Sequence, residues 1–117
     1  MTPAPIKPEI TMADLDKIDI RAGTILDAKP LEDSRKLAAL QVDFGDHQRQ
    51  ILAGLVHERE DLRALIGQQA LFVVNLPPRE MAGARSEGML FDIGYADGVT
   101  PVLAVTENTV PDGCRAG

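Results

Sequence analysis

The sequence predicts a single all-β domain: a five-stranded Greek-key barrel with one short helix between its third and fourth strands. Three observations predict it. Short runs with β-type alternation recur along the chain, and only one interior stretch carries helical spacing, which argues against stacked βαβ units and a doubly wound sheet. The helical stretch falls after three strands and before the remaining two or three. A glycine also interrupts the first strand, as expected where one strand must bend to serve both halves of a barrel. The length of 117 residues suits one domain, because domains commonly run about 100–150 residues.

Residues 1–10 carry Pro3, Pro5 and Pro8 and read as an extended, flexible N-terminal arm, since proline fixes φ and lacks an N–H. The domain proper spans 11–117. Thr11-Met-Ala-Asp14 has the spacing of a capping box and predicts a short helix over about 12–17. Ile18, Ile20 and Ala22 alternate with Asp19 and Arg21 in the first strand, until Gly23 intervenes. A polar loop from Lys29 to Lys36 follows. Leu37–Phe44 is a strand with Leu40, Val42 and Phe44 on one face; Gly45-Asp46 turns the chain, and Gln48–Ala53 is the third strand. Val56, Leu62, Leu65 and Ile66 then read as a helix of about two turns, stopped by Gly67. Ala70–Asn75 is a continuous apolar run ended by Pro77-Pro78, and Gly88–Tyr95 and Pro101–Thr106 are the last strands. This order matches the OB-fold. A small sandwich is the alternative, and it leaves the helix without a place.

Composition bounds the function. Hydrophobic residues make up 44% and charged residues 26%, an ordinary globular balance. No apolar run approaches the roughly 20 residues of a membrane span. The N-terminus lacks the pattern of a signal peptide, so a cytoplasmic location is expected. The single cysteine, Cys114, excludes an internal disulfide and fits a reducing compartment. His47 and His57 lack metal-ligand spacing, Ser86 has no nucleophile-elbow context, and no glycine-rich phosphate loop occurs. No enzyme activity, cofactor or metal is expected. Arg49, Arg59 and Arg63 are assigned surface charge and local ion pairs only.

The segment Asn75–Met89 offers the clearest binding chemistry. A buried strand ends in a double proline, and a polar loop with Arg79, Arg85 and Ser86 leads to Met89. It reads either as a rigid loop at a barrel mouth or as a plain connection with Gly83 and Gly88 at turns and Met89 in the core. The Lys29–Lys36 loop carries Lys29, Arg35 and Lys36 offset by Glu32 and Asp33, which suits phosphate contacts or simply a solvated turn. Aromatics are few. Phe44, Phe72 and Phe91 fall at core positions, leaving Tyr95 as an exposed platform. Any nucleic acid should therefore be recognised by shape and backbone rather than by rows of stacked bases.

Asp19-Ile-Arg-Ala-Gly-Thr-Ile25, Leu40-Gln-Val-Asp-Phe-Gly45, Gln50-Ile-Leu-Ala-Gly-Leu55 and above all Ser86-Glu-Gly-Met89 resemble the tRNA-binding domain family over about residues 12–114. That family includes free-standing bacterial tRNA-binding proteins and the C-terminal appendix of many methionyl-tRNA synthetases. The entry Ile10–Arg21, the run Val73–Arg79 and Val110-Pro-Asp-Gly113 resemble its export-related chaperone branch, the CsaA proteins. The resemblance implies a homodimer built by the N-terminal helix and the chain after about Val99. It implies RNA contacts by Lys36, Asn75, Arg79, Arg85, Ser86 and Met89. Arg79, Arg85 and Lys36 would meet phosphates, Ser86 and Asn75 would bond sugar or phosphate, and Met89 would pack on a base or ribose or hold the loop from beneath. Ala53-Gly-Leu55 in place of the family's Ser-Gly-Leu, the double proline and Glu80 depart from the tRNA-binding pattern. They leave room for an unfolded or export-bound polypeptide as the partner, or for a module delivering a synthetase.

The net charge of −6 runs against an RNA partner, because such proteins are usually basic. The acidity is concentrated at the two ends, however. Residues 29–91 hold 8 basic against 9 acidic side chains, which predicts a small local contact of modest affinity within a repulsive periphery.

Overall fold

Pairing of apolar, β-branched runs organises the chain around its first strand. A computed structural model describes residues 2–117. In chain order the elements are α1 (Met12–Leu15), β1 (Ile20–Pro30), β2 (Ala38–Asp43), β3 (Gln48–Ala53), a 3-10 turn (Leu62–Leu65), β4 (Gln69–Val73), β5 (Arg79–Met81), β6 (Ala84–Ser86), β7 (Met89–Leu90), β8 (Asp92–Ile93), a second 3-10 turn (Tyr95–Asp97), β9 (Val102–Leu103) and β10 (Arg115–Ala116). The main sheet runs β3-β2-β1-β4-β7, with β10 added beside the start of β1.

Strand β1 is shared. Its first half pairs antiparallel with β4, from Ile20↔Val73 to Thr24↔Gln69, and its second half pairs with β2, from Thr24↔Asp43 to Pro30↔Ala38. The bend expected at Gly23 lies a turn later, where the register slips between Ile25 and Asp27. Gly23 serves a different purpose. A Cβ there would lie 2.6 Å from Val42 Cγ1 and 2.8 Å from Phe44 Cε1, so its missing side chain lets β1 cross closely over β2.

The sheet curls until β3 meets the segment that joins β6 to β7. The Glu87 N–H donates to the Gln50 carbonyl (2.9 Å), the Leu52 N–H to Ser86 Oγ (3.0 Å), and Gln50 Nε2 to the Arg85 carbonyl (3.0 Å). This antiparallel, curled sheet is an OB-like barrel. Ile25, Leu40, Val42, Ile51, Leu55 and Phe72 fill it and are fully buried. Phe44 stands edge-on to Phe72 with centroids 5.6 Å apart, a favourable aromatic geometry.

The capping box is present: Asp14 N–H donates to Thr11 Oγ1 and Thr11 N–H to Asp14 Oδ2. The helix it starts is one turn, shorter than the expected 12–17. The two-turn helix expected near residues 56–66 is also reduced, to a single 3-10 turn. Asp61 accepts the Arg63 N–H (3.0 Å) and so sets its start, while Ile66 is already extended and Gly67 sits at φ +90°. The predicted strand Gly88–Tyr95 is broken into β7 and β8, and Pro101–Thr106 contracts to β9 plus one bridge from Val105 to Ala70. Phe91 is not core. Leu90 takes the inward position, and pleating turns Phe91 outward, 42% exposed.

Candidate nucleic-acid interface

The Asn75–Met89 segment folds as a two-stranded ribbon. β5 and β6 pair through Arg79↔Ser86, Glu80↔Arg85 and Met81↔Ala84, with Ala82 (φ +48°) and Gly83 (φ +79°) at the tip. Two successive positive φ values define the tight turn whose twist matches paired strands. The tip reaches the loop before β2: Asp33 Oδ2 lies 3.9 Å from where a Gly83 Cβ would sit. The hairpin and the loop carrying Arg35 and Lys36 thus meet at one end of the barrel.

Of the six sequence-predicted residues, Lys36, Arg79, Arg85, Met89 and Asn75 are exposed. Among the described residues, the Lys36 ammonium and the Arg79 guanidinium make no hydrogen bond or ion pair. Arg85 has a loose, exposed pairing with Glu80 (3.9 Å). Register places the two arginines on opposite faces of the ribbon, because Arg79 faces Ser86 and Arg85 faces Glu80. Met89, paired with Val73 in β7, is 46% exposed, unlike the core placement that a plain connection predicts.

Ser86 and Asn75 have internal partners. Ser86 is 5% exposed; its hydroxyl accepts the Leu52 N–H and donates to the Gly88 carbonyl (3.1 Å). Asn75 Oδ1 accepts the Asp19 N–H (2.9 Å) and its Nδ2 donates to the Lys17 carbonyl (2.7 Å), fastening the segment after α1 to the end of β4. Gly88 permits close approach, since a Cβ would sit 2.9 Å from the Val73 carbonyl oxygen. Three residues of Ser86-Glu-Gly-Met89 therefore close the barrel, and only Met89 turns its side chain outward.

Two arginines assigned to the surface hold backbone instead. Arg49 Nη1 donates to the carbonyls of Val74 (2.7 Å) and Glu87 (3.0 Å), and Arg59 Nη1 donates to that of Pro101 (2.9 Å). Near the start of β1, Arg21 grips Asp19 through Nε (2.6 Å) and Nη2 (3.0 Å). That hydrogen-bonded guanidinium, helped by Arg115, holds the Asp19 carboxyl below its ordinary range. A hydrogen bond from His47 likewise lowers Asp46.

A second surface feature is apolar. Met12, Leu15, Ile18, Leu71 and Phe91 line a cleft of about 780 Å³, with Lys17, Asp19 and Arg115 at its rim. No residue of α1 is buried, and Met12 is 70% exposed. Among the described residues, no three His, Cys, Asp or Glu side chains gather as a metal-binding group, and no helix is long and apolar enough to cross a membrane.

An OB-like barrel whose hairpin and neighbouring loop carry Arg79, Arg85 and Lys36 at one end has the architecture of a binding domain. Residues 20–115 match the family described as "Putative tRNA binding domain", and the chain belongs to the tRNA-binding domain family. It is 38% identical over 95 residues to a methionine–tRNA ligase of Clostridium acetobutylicum, covering 80% of this chain and 14% of that protein. Among solved structures it resembles a MetRS-related protein from Pyrococcus horikoshii (TM-score 0.86, 30% identity, 95% of this chain and all of that one). It also resembles the chaperone CsaA of Bacillus anthracis (TM-score 0.79, 28% identity, 94% and 100%).

Proposed function

We propose that the protein binds folded tRNA without chemistry, as a homodimer, reading shape and backbone through the hairpin end of the barrel. The observation that carries this reading is the meeting of the Arg79–Arg85 hairpin with the Lys36 loop, in a chain matched by the tRNA-binding family over residues 20–115. Lys36, Arg79 and Arg85 contact phosphates, and Met89 packs on a base or ribose. Ser86 and Asn75 hold the frame on which these side chains stand. The apolar cleft beside α1 is covered by the same cleft of a second copy, because a four-residue helix with no buried residue gains too little by itself to persist. Lys17 and Arg115 on one protomer then lie near Asp16 and Asp19 on the other, as an isologous contact allows.

A filter-binding titration of tRNA across several salt concentrations tests the reading. Three cations per protomer predict a slope of log K against log salt of about −4 to −5 for the dimer. Absence of binding at low salt sinks it. A second reading, a chaperone-like binder of unfolded or export-bound polypeptide, is favoured by the exposed apolar cleft and by the likeness to CsaA. Protection of an aggregating client that survives Arg85→Ala, while tRNA binding does not, assigns polypeptide and RNA to separate surfaces.

A further inference from the structure

At the foot of the β5–β6 hairpin, the turn between β2 and β3, the start of β1, the end of β4 and the chain at Asp112-Gly113 enclose a cleft of about 650 Å³. We infer that this cleft receives an unpaired nucleobase, and that His47 is its stacking platform. The inference rests on the tRNA-binding reading for the source of the base.

His47 is held as a platform must be held. Its Nδ1 lies 2.6 Å from Asp46 Oδ1, and its Nε2 accepts the Arg49 Nε–H at 2.9 Å. The ring stacks on Phe44, with centroids 5.6 Å apart and planes 23° from parallel. Arg49 lies 5.8 Å over the Phe44 ring and is itself fixed by the carbonyls of Val74 and Glu87. Both ring nitrogens and one flank are thereby tied, yet 46% of the side chain stays exposed within the cleft wall. A plane fixed in advance loses little freedom on stacking.

The rim chooses a heterocycle over a phosphate. Asp19, Asp46 and Asp112 face Arg21 and Arg49, which leaves the lining net negative and repels an anion. Hydrogen-bonding capacity remains for a base edge, which needs donors and acceptors together. Arg49 Nη2 makes no hydrogen bond among the described residues, and Asp46 Oδ2 and Asp112 Oδ2 are likewise unengaged. RNA is read where unpaired bases splay out and stack on aromatic or guanidinium planes. Counting only Phe, Tyr and Trp overlooks such a platform when it is a histidine.

The test uses the intact protein, tRNA, and the four nucleoside 5′-monophosphates, with His47 imidazole and Phe44 ring resonances followed by NMR. Both rings are expected to shift on tRNA binding, and His47→Asn, which keeps an acceptor but no stacking plane, to lose roughly five- to a hundredfold in affinity. His47→Phe restores stacking and should recover most of that loss, with the salt slope unchanged throughout. Saturable shifts with a monophosphate but no tRNA binding by the parent protein support the cleft and refute its RNA source. The inference is overturned if tRNA binds with neither ring perturbed. It is equally overturned if His47→Asn binds within twofold of the parent, if arginine amide but no nucleotide saturates the cleft, or if neither tRNA nor nucleotide shifts the rings.

Discussion

Removing the Ser86 hydroxyl should open the barrel rather than blunt its contacts. In Ser86→Ala, the Leu52 N–H loses its 3.0 Å acceptor and the Gly88 carbonyl its 3.1 Å donor. Ser86 and Leu52 are both buried, so water does not readily replace either partner. A typical hydrogen bond contributes about 0.5–1.5 kcal/mol net, and an orphaned buried group costs about 1–3 kcal/mol. A loss of about 2 kcal/mol is therefore expected, which for a chain of this length lowers the thermal midpoint by about 6–12 °C. Urea unfolding should show a lower midpoint at unchanged m-value. At a temperature where both variants stay folded, tRNA affinity should fall less than in Arg85→Ala. A stability change under 0.5 kcal/mol combined with a tenfold loss of tRNA affinity would refute the reasoning, because the hydroxyl would then be acting on the ligand.

Gly23→Ala forces a methyl group to within 2.6 Å of Val42 Cγ1 and should cost about 1–3 kcal/mol by overpacking, measured by the same urea unfolding. Asp19 is held below its ordinary value of 3.8, so the folded state takes up its proton less readily than the unfolded one. Its contribution is present above about pH 4 and lost on further acidification, and urea midpoints of Asp19→Asn should fall less steeply than the parent's between pH 5 and 2.5. Asn75→Ala releases the Lys17 carbonyl and the Asp19 N–H, and amide exchange at Asp19 should accelerate while the β2–β3 amides keep their protection. Phe91→Glu places a charge in the apolar cleft and should yield a folded monomer by analytical ultracentrifugation; an unchanged dimer mass argues against this cleft as the interface.

The strand order, the β2–β3 hairpin and the inward face of Leu40, Val42 and Phe44 were legible because period-two alternation is a local signal. Gly23 was legible as special but not for the right reason, since what it accommodates lies on another strand, at Val42 and Phe44. The helix before β4 was overread because apolar spacing does not reveal where Asp61 caps the chain. Ser86-Glu-Gly-Met89 stood out as a motif, yet sequence alone does not separate a residue that touches a ligand from one that closes a barrel. Both demand a fixed residue type, and only the partners of Ser86 distinguish them. Arg49, assigned surface charge and local ion pairs, was misassigned because its acceptors, Val74 and Glu87, lie 25 and 38 residues away.

That last error changes what the charge balance means. Of the 8 cations in residues 29–91, Arg49 and Arg59 hold backbone carbonyls, and Arg63 pairs with Asp61 at 3.2 Å. Those left for an anionic partner sit in the Lys29–Lys36 segment and on the hairpin, and Arg85 shares its charge with Glu80. Elsewhere, exposed carboxylates such as Asp16, Glu60 and Glu107 have no ion-pair partner among the described residues. If tRNA is the ligand, as proposed, such carboxylates disfavour non-specific adhesion to RNA, and the few cations at the hairpin end suffice only where the ligand's shape brings its phosphates to all of them at once. On the tRNA-binding proposal, an acidic protein of this kind selects folded RNA by what it repels as much as by what it holds.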